Sequence, residues 1–124
     1  VLTYDGLAAW LPETPAATVM RHAFNRHQRT DKGFGPAAGP DATIVLKRAF
    51  ARLGYTTHTG KSPWVLDDEF IELHRETDRG WAAAAAEADG ITVEEGEAWL
   101  DNRANDPDAV TVVGHTDFLA LPRA

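Results

Sequence analysis

The sequence predicts a layered α/β domain, and three observations lead there. Strand-prone runs at 1–4, 55–66 and 110–121 alternate with stretches of helical periodicity. Leu53-Gly54-Tyr55 reads as a helix stop running into a strand, a common αβ junction in layered folds. Capping signals at Thr14-Pro15, Pro40-Asp41 and Thr92 with Glu95 open helices between the strands. The 124 residues suffice for one domain with a modest core.

Val1 to Tyr4 is short, apolar and β-prone, and Asp5-Gly6 is a turn signal that ends it. A strand at residue one gains little without neighbours, so the chain reads as cut from a longer one. Leu7 to Pro12 is a transition anchored by Trp10 and Leu11. The next helix runs from Pro15 to Arg29, with Val19, Met20, Ala23, Phe24 and His27 on one face. A charged, glycine-punctuated loop follows, ending at Asp41 as N-cap of a helix through Leu53. Ile44, Val45, Leu46, Phe50 and Leu53 give that helix a rich apolar face.

Tyr55 to Thr59 reads as a strand, interrupted at Gly60–Pro63 and resumed by Trp64-Val65-Leu66. Asp67-Asp68 caps a further helical region with Phe70, Ile71, Leu73, His74 and Trp81 on one face. The alanine run 82–86 prolongs it with high propensity, and Asp89-Gly90 ends it. Thr92 with Glu95 forms a capping box for a helix through Trp99-Leu100, and Asn102 to Asp108 is turn-like. Val110 to Leu121 is the longest β-prone run, with Gly114-His115 as a candidate bulge. Three strands make a thin sheet, which again points to missing neighbours.

Composition narrows the function classes. Without cysteine there is no disulfide framework, cysteine nucleophile or thiolate metal site, and a reducing, cytoplasmic setting fits. A net charge of −7 with no basic run argues against nucleic acid as a partner. No apolar stretch approaches a membrane span. The single serine, Ser62, lies in no G-x-S-x-G, and the histidines form no i, i+4 or H-E-x-x-H pattern, so neither a serine hydrolase nor a metal site is expected.

The candidates for chemistry cluster around Asn25–Asp41. Loops of this length inside a compact domain are functional or disordered, and Phe34 between two glycines favours an ordered lid over a plain surface connection. His27 at the mouth of the loop suits a general base, while its place at a helix C-terminus is more simply explained by the macrodipole. Arg29 and Lys32 offer charge-assisted hydrogen bonds to an anion, or simply solvate the loop. Tyr4-Asp5 at a strand's carboxyl end is a candidate pocket wall, or Asp5-Gly6 merely turns the chain. The tryptophans and the acidic runs are explained by packing and by helix capping. No phosphate-cradling glycine motif occurs anywhere.

The order L-T-Y-D-G, F-N-x-H-Q-R-x-D-K-G-F-G-P-A-x-G-P-D-A, A-R-L-G-Y, S-P-W-x-L and V-G-H-T-D-F-L-A-L-P resembles the C-terminal half of a bacterial class I S-adenosylmethionine-dependent methyltransferase family. The resemblance spans nearly the whole chain and is most specific over His27–Asp41. It implies part of a Rossmann-like sheet: Val1–Tyr4 as strand five, Tyr55–Leu66 containing strand six and Val110–Leu121 as an antiparallel strand seven. Residues 7–40 would be a helix and lid insertion, and residues 67–106 a second helical insertion. The family's glycine-rich cofactor loop and ribose-binding acid have no matching positions. S-adenosylmethionine would therefore be held mainly by sequence upstream, and this chain alone would be inactive.

What remains is the acceptor side, for a small-molecule methyl acceptor. Tyr4 and Asp5 would orient the acceptor, His27 accept a proton, Arg29 and Lys32 hold an anion, and Phe34 close the lid. The rival expectation is a non-catalytic α/β binding or dimerisation domain, its sheet edges completed by a partner chain such as a second copy.

Overall fold

A computed structural model describes residues 1–124. The chain is α/β: a small open antiparallel sheet of four strands carries four α-helices. In order these are β1 (Leu2–Leu11), α1 (Pro15–His27), α2 (Ala42–Arg52), β2 (Tyr55–Lys61), β3 (Trp64–Leu66), α3 (Ile71–Glu87), α4 (Val93–Ala104) and β4 (Val110–Pro122). No helix is long and apolar enough to cross a membrane. The sheet order is β1-β4-β2, and β3 continues the β2 side of β4 beyond the break at Ser62-Pro63. Because β1 and β2 both run antiparallel to β4, they point the same way.

The first strand departs from the sequence reading. Asp5-Gly6 does not end it, and residues 7–11 are strand rather than transition or insertion. Tyr4 faces His115 and Ala8 faces Val113, so Asp5, Gly6 and Leu7 together stand opposite Gly114. The bulge expected in β4 therefore belongs to its neighbour. Both glycines follow from it. Gly6 has φ +89°, a left-handed value, and a Cβ there would meet Pro40 at 3.0 Å. A Cβ on Gly114 would lie 2.1 Å from Asp5 Oδ1 and 2.5 Å from Leu7 Cβ.

Helices cover both faces of the sheet, because side chains alternate along β1. On one face α1, α3 and α4 bury Ala8, Trp10, Met20, Ala23, Trp81 and Trp99. Aromatic rings knit this core: Phe24 stacks on Trp81 at 3.8 Å, and Trp10 meets Trp81 edge-on at 4.9 Å. On the other face Thr3 pairs with Thr43 of α2 at 2.7 Å, and Phe50 packs on Phe118. Thr14 and Asp41 stand at the starts of α1 and α2 without a side-chain cap bond, Asp67 caps a short 3₁₀ turn ahead of α3, and the Thr92/Glu95 capping box forms in full.

Two helix faces differ from expectation. In α3 His74 and Trp81 are buried as expected, but Phe70, Ile71 and Leu73 are exposed and Asp78, Ala82, Ala84 and Ala85 complete the buried stripe. The turn spacing from His74 to Asp78 to Trp81 to Ala85 sets this stripe, and two of its members are polar. In α2 no residue is fully buried: Ile44, Val45 and Leu53 are 52, 50 and 72% exposed. The apolar face read from the sequence exists, but it has little to pack against.

Candidate functional site

The site residues named from sequence fall into three groups. Tyr4 and Asp5 belong to the β1 bulge, in mid-strand and not at the carboxyl end as the shorter strand implied. The Tyr4 hydroxyl donates to Asn25 Oδ1 at 2.7 Å, while Asn25 Nδ2 donates to the Gly6 carbonyl at 3.2 Å. Asn25 thus ties the last turn of α1 to the bulge. Burial beneath Phe24 and Trp81, helped by the Asp5 charge, pushes the Tyr4 phenol above its ordinary pKa, so it is a donor and not a phenolate. For Asp5, burial opposes ionisation. Hydrogen bonds from Lys61 Nζ at 2.6 Å and from Leu7 N at 3.0 Å outweigh it and hold the carboxyl below its ordinary value.

The second group gathers where α1 and α3 end. His27 Nε2 lies 2.8 Å from Glu87 Oε2, and Lys32 Nζ lies 3.5 Å from His27 Nδ1. The sequence reading brought His27 and Lys32 to one place, and it missed Glu87, which a sequence separation of 60 residues hides. A carboxylate on one ring nitrogen fixes the orientation of the imidazole, and the ammonium faces the other nitrogen. This is a usable acid–base pair on an accessible surface.

The third group is the glycine loop. It is ordered by Asp31, whose Oδ1 accepts from Gly33 N at 2.7 Å and Gly35 N at 2.9 Å. Those amides are already engaged, so this loop does not make a cofactor cradle. Arg29 pairs with Asp41 at 3.2 Å across the base of the loop, and Pro40 packs on Gly6. Phe34 is fully exposed at the tip and lies over no part of the bulge. Arg29 is therefore occupied within the chain, while Lys32 and Phe34 are presented to solvent.

Sequence reasoning missed the strongest polar cluster altogether. Arg103 of α4 enters a buried site where its Nε donates to Asp78 Oδ2 at 2.7 Å. Its Nη2 donates to Thr111 Oγ1 at 2.8 Å and to His74 Nε2 at 3.1 Å. The Thr111 hydroxyl donates to Asp78 Oδ1 at 2.6 Å. Burial, reinforced by Arg103, pushes the His74 pKa below its ordinary value against the pull of Asp78 and Asp67. His74 is then neutral, its Nε2 lone pair turned to the guanidinium, and the buried charges of Asp78 and Arg103 balance. The i, i+4 spacing of His74 and Asp78 on the alanine-rich stripe was the signal available in the sequence.

Two cavities flank Arg103, at the carboxyl ends of β1 and β3. One, of about 370 Å³, is bordered by His74, Asp78, Arg75, Arg79 and Asp101. The other, of about 520 Å³, opens between the end of β1, the start of α1 and α4, with Trp10, Val19, Met20, Ile91 and Trp99 in its wall. Neither is lined by Tyr4, Asp5, His27, Arg29, Lys32 or Phe34. Compared with protein-family models, curated proteins and solved structures, the chain matches none.

Proposed function

We propose that this chain is the acceptor-side part of a class I S-adenosylmethionine-dependent methyltransferase, transferring a methyl group to a small molecule. The observation that carries the reading is the sense of the sheet. The last strand, β4, runs antiparallel to β1 and β2, which share one direction, as the resemblance to strands five, six and seven requires. The helices also fit, with α1 and α2 between β1 and β2, and α3 and α4 between β3 and β4. The methyl donor would be held mainly by sequence upstream, because the chain's own glycine amides in the loop are spent on Asp31.

In-line methyl transfer depends on positioning and on excluding water, and the residues here suit that task. Tyr4 and Asp5 are held in place by Asn25 and Lys61. His27 with Glu87 is the candidate proton acceptor, Lys32 the free cation beside it, and Phe34 the group that closes over a bound acceptor. The test uses the encoded polypeptide with a panel of small hydroxyl and amine acceptors, reading S-adenosylhomocysteine release. Alanine at Lys32 or Phe34 raises the acceptor KM or lowers kcat. Unchanged kinetics in both variants removes the loop from the site.

One observation favours a second reading, a non-catalytic domain completed by a partner chain. The half-exposed Ile44 and Val45 of α2 and the unpaired outer edge of β1 offer a surface for association. Size-exclusion chromatography separates the cases: a clean monomer that keeps its fold at micromolar concentration argues against completion by a second copy.

A further inference from the structure

Two helices on opposite faces of the sheet turn matching rows of side chains to solvent. On α2, Ile44, Arg48 and Arg52 follow one another at four-residue spacing along the exposed side. On α4, Val93, Glu97 and Asp101 repeat that spacing with the opposite charge. Ile44 and Val93 are 52 and 62% exposed. None of the four charged side chains forms an ion pair within the chain. Their neighbours carry the same signs. Helix α2 also holds Lys47 and no acid, and Glu94 lies beside the α4 row, while Arg103 of α4 turns inward to Asp78. A wholly basic helix thus sits on a chain of net charge −7 with no counter-charge of its own.

Rows at this spacing are the ridges along which helices most often pack. Laid side by side in the same direction, the two rows pair in order: Ile44 with Val93, Arg48 with Glu97 and Arg52 with Asp101. Reversed, they would set Ile44 against Asp101 and Arg52 against Val93, which pairs a charge with an aliphatic group at both ends. Because α2 and α4 cover opposite faces of the sheet, one copy cannot join its own rows. We propose that a second copy of this chain docks its α4 row on the α2 row of the first, through one aliphatic contact and two arginine–carboxylate pairs. The contact is heterologous: a pair of copies leaves one α2 row and one α4 row free, so association continues past the dimer. Exposed ion pairs are individually weak, so charge sets the partner and the register while affinity stays modest. The proposal stands apart from methyl transfer, and from pairing at the β1 edge, which joins backbones and not charges.

Sedimentation velocity over a series of protein concentrations tests this. At low salt the average mass of the wild type rises with concentration, and it returns to monomer in about 1 M salt, where the screening length is about 3 Å. One variant carries Arg48→Glu with Arg52→Glu, and another Glu97→Arg with Asp101→Arg. Each weakens association roughly tenfold, as the loss of two surface ion pairs implies. All four positions are exposed, so the circular dichroism spectrum is unchanged. Mixed together, the two variants associate again, the acidic α2 of one on the basic α4 of the other, although both remain net negative. If one variant fails to fold, the other decides together with the salt series. A wild type that stays monomeric up to millimolar concentration overturns the proposal and leaves α2 to an acidic partner of another kind. Association that survives salt and both reversals also overturns it, and assigns the contact to the β1 edge. So does a mixture no more associated than its components.

Discussion

Replacing Asp78 with alanine leaves the buried Arg103 without its counter-charge. The carboxylate is 6% exposed and takes hydrogen bonds from Arg103 Nε at 2.7 Å and Thr111 Oγ1 at 2.6 Å. Arg103, itself 9% exposed, would keep its charge, with only neutral His74, Thr111 and backbone carbonyls to meet it. Breaking one partner of a buried pair costs about 3–5 kcal/mol, because the remaining charge is neither solvated nor matched. A domain of this length has roughly 6–15 kcal/mol in all. Asp78→Ala therefore removes a large share, and at about 4 °C per kcal/mol lowers Tm by roughly 12–20 °C. Urea unfolding followed by tryptophan fluorescence gives the free energy directly. The double variant Asp78→Leu with Arg103→Met removes both charges and recovers most of the loss. A cost below about 1 kcal/mol for Asp78→Ala, or a double variant no better than the single, would refute the assignment of Asp78 as the counter-charge.

Three further outcomes follow from the same structure. His74 has a folded pKa below its ordinary value, so the unfolded chain binds the proton more readily. Its contribution to stability is complete above about pH 6.5 and is lost as pH falls through the folded pKa, and His74→Gln flattens that part of a Tm-versus-pH curve. Gly80 lies inside α3, and a Cβ added there would have nothing within 4 Å, so Gly80→Ala raises stability by about 1 kcal/mol in thermal melts. Gly114→Ala drives a methyl group into Asp5 and Leu7 and lowers stability by about 1–3 kcal/mol, with loss of the slow-exchanging amides of β1 in hydrogen-exchange NMR.

Signals that act over one helical turn were legible in the sequence. Thr14-Pro15 opens α1, Thr92 and Glu95 close their capping box, and the long β-prone run from Val110 forms β4. What was hidden depends on partners distant in the chain. Asp5-Gly6 carries a turn signature, yet Gly114, over a hundred residues away, admits a bulge and lets β1 run on to Leu11. Periodicity places His74 on the apolar face but not Asp78, because only Arg103 and Thr111, distant in the chain, satisfy its carboxylate there. The sequence also brings His27 and Lys32 together correctly through their nearness in the chain, while Glu87 joins them only because α1 packs on α3. The apolar residues of α2 were recognised as a packing face, but periodicity says nothing about whether a surface to pack on is present.

The methyl-transfer reading is tested most directly by calorimetric titration of S-adenosylhomocysteine into residues 1–124 and into a longer form carrying whatever sequence is encoded upstream. The account predicts binding to the longer form and none to residues 1–124 alone. Absence of binding to both contradicts methyl transfer and leaves the partner-completed domain as the better description. Binding to the short form contradicts the assignment of the donor site to upstream sequence.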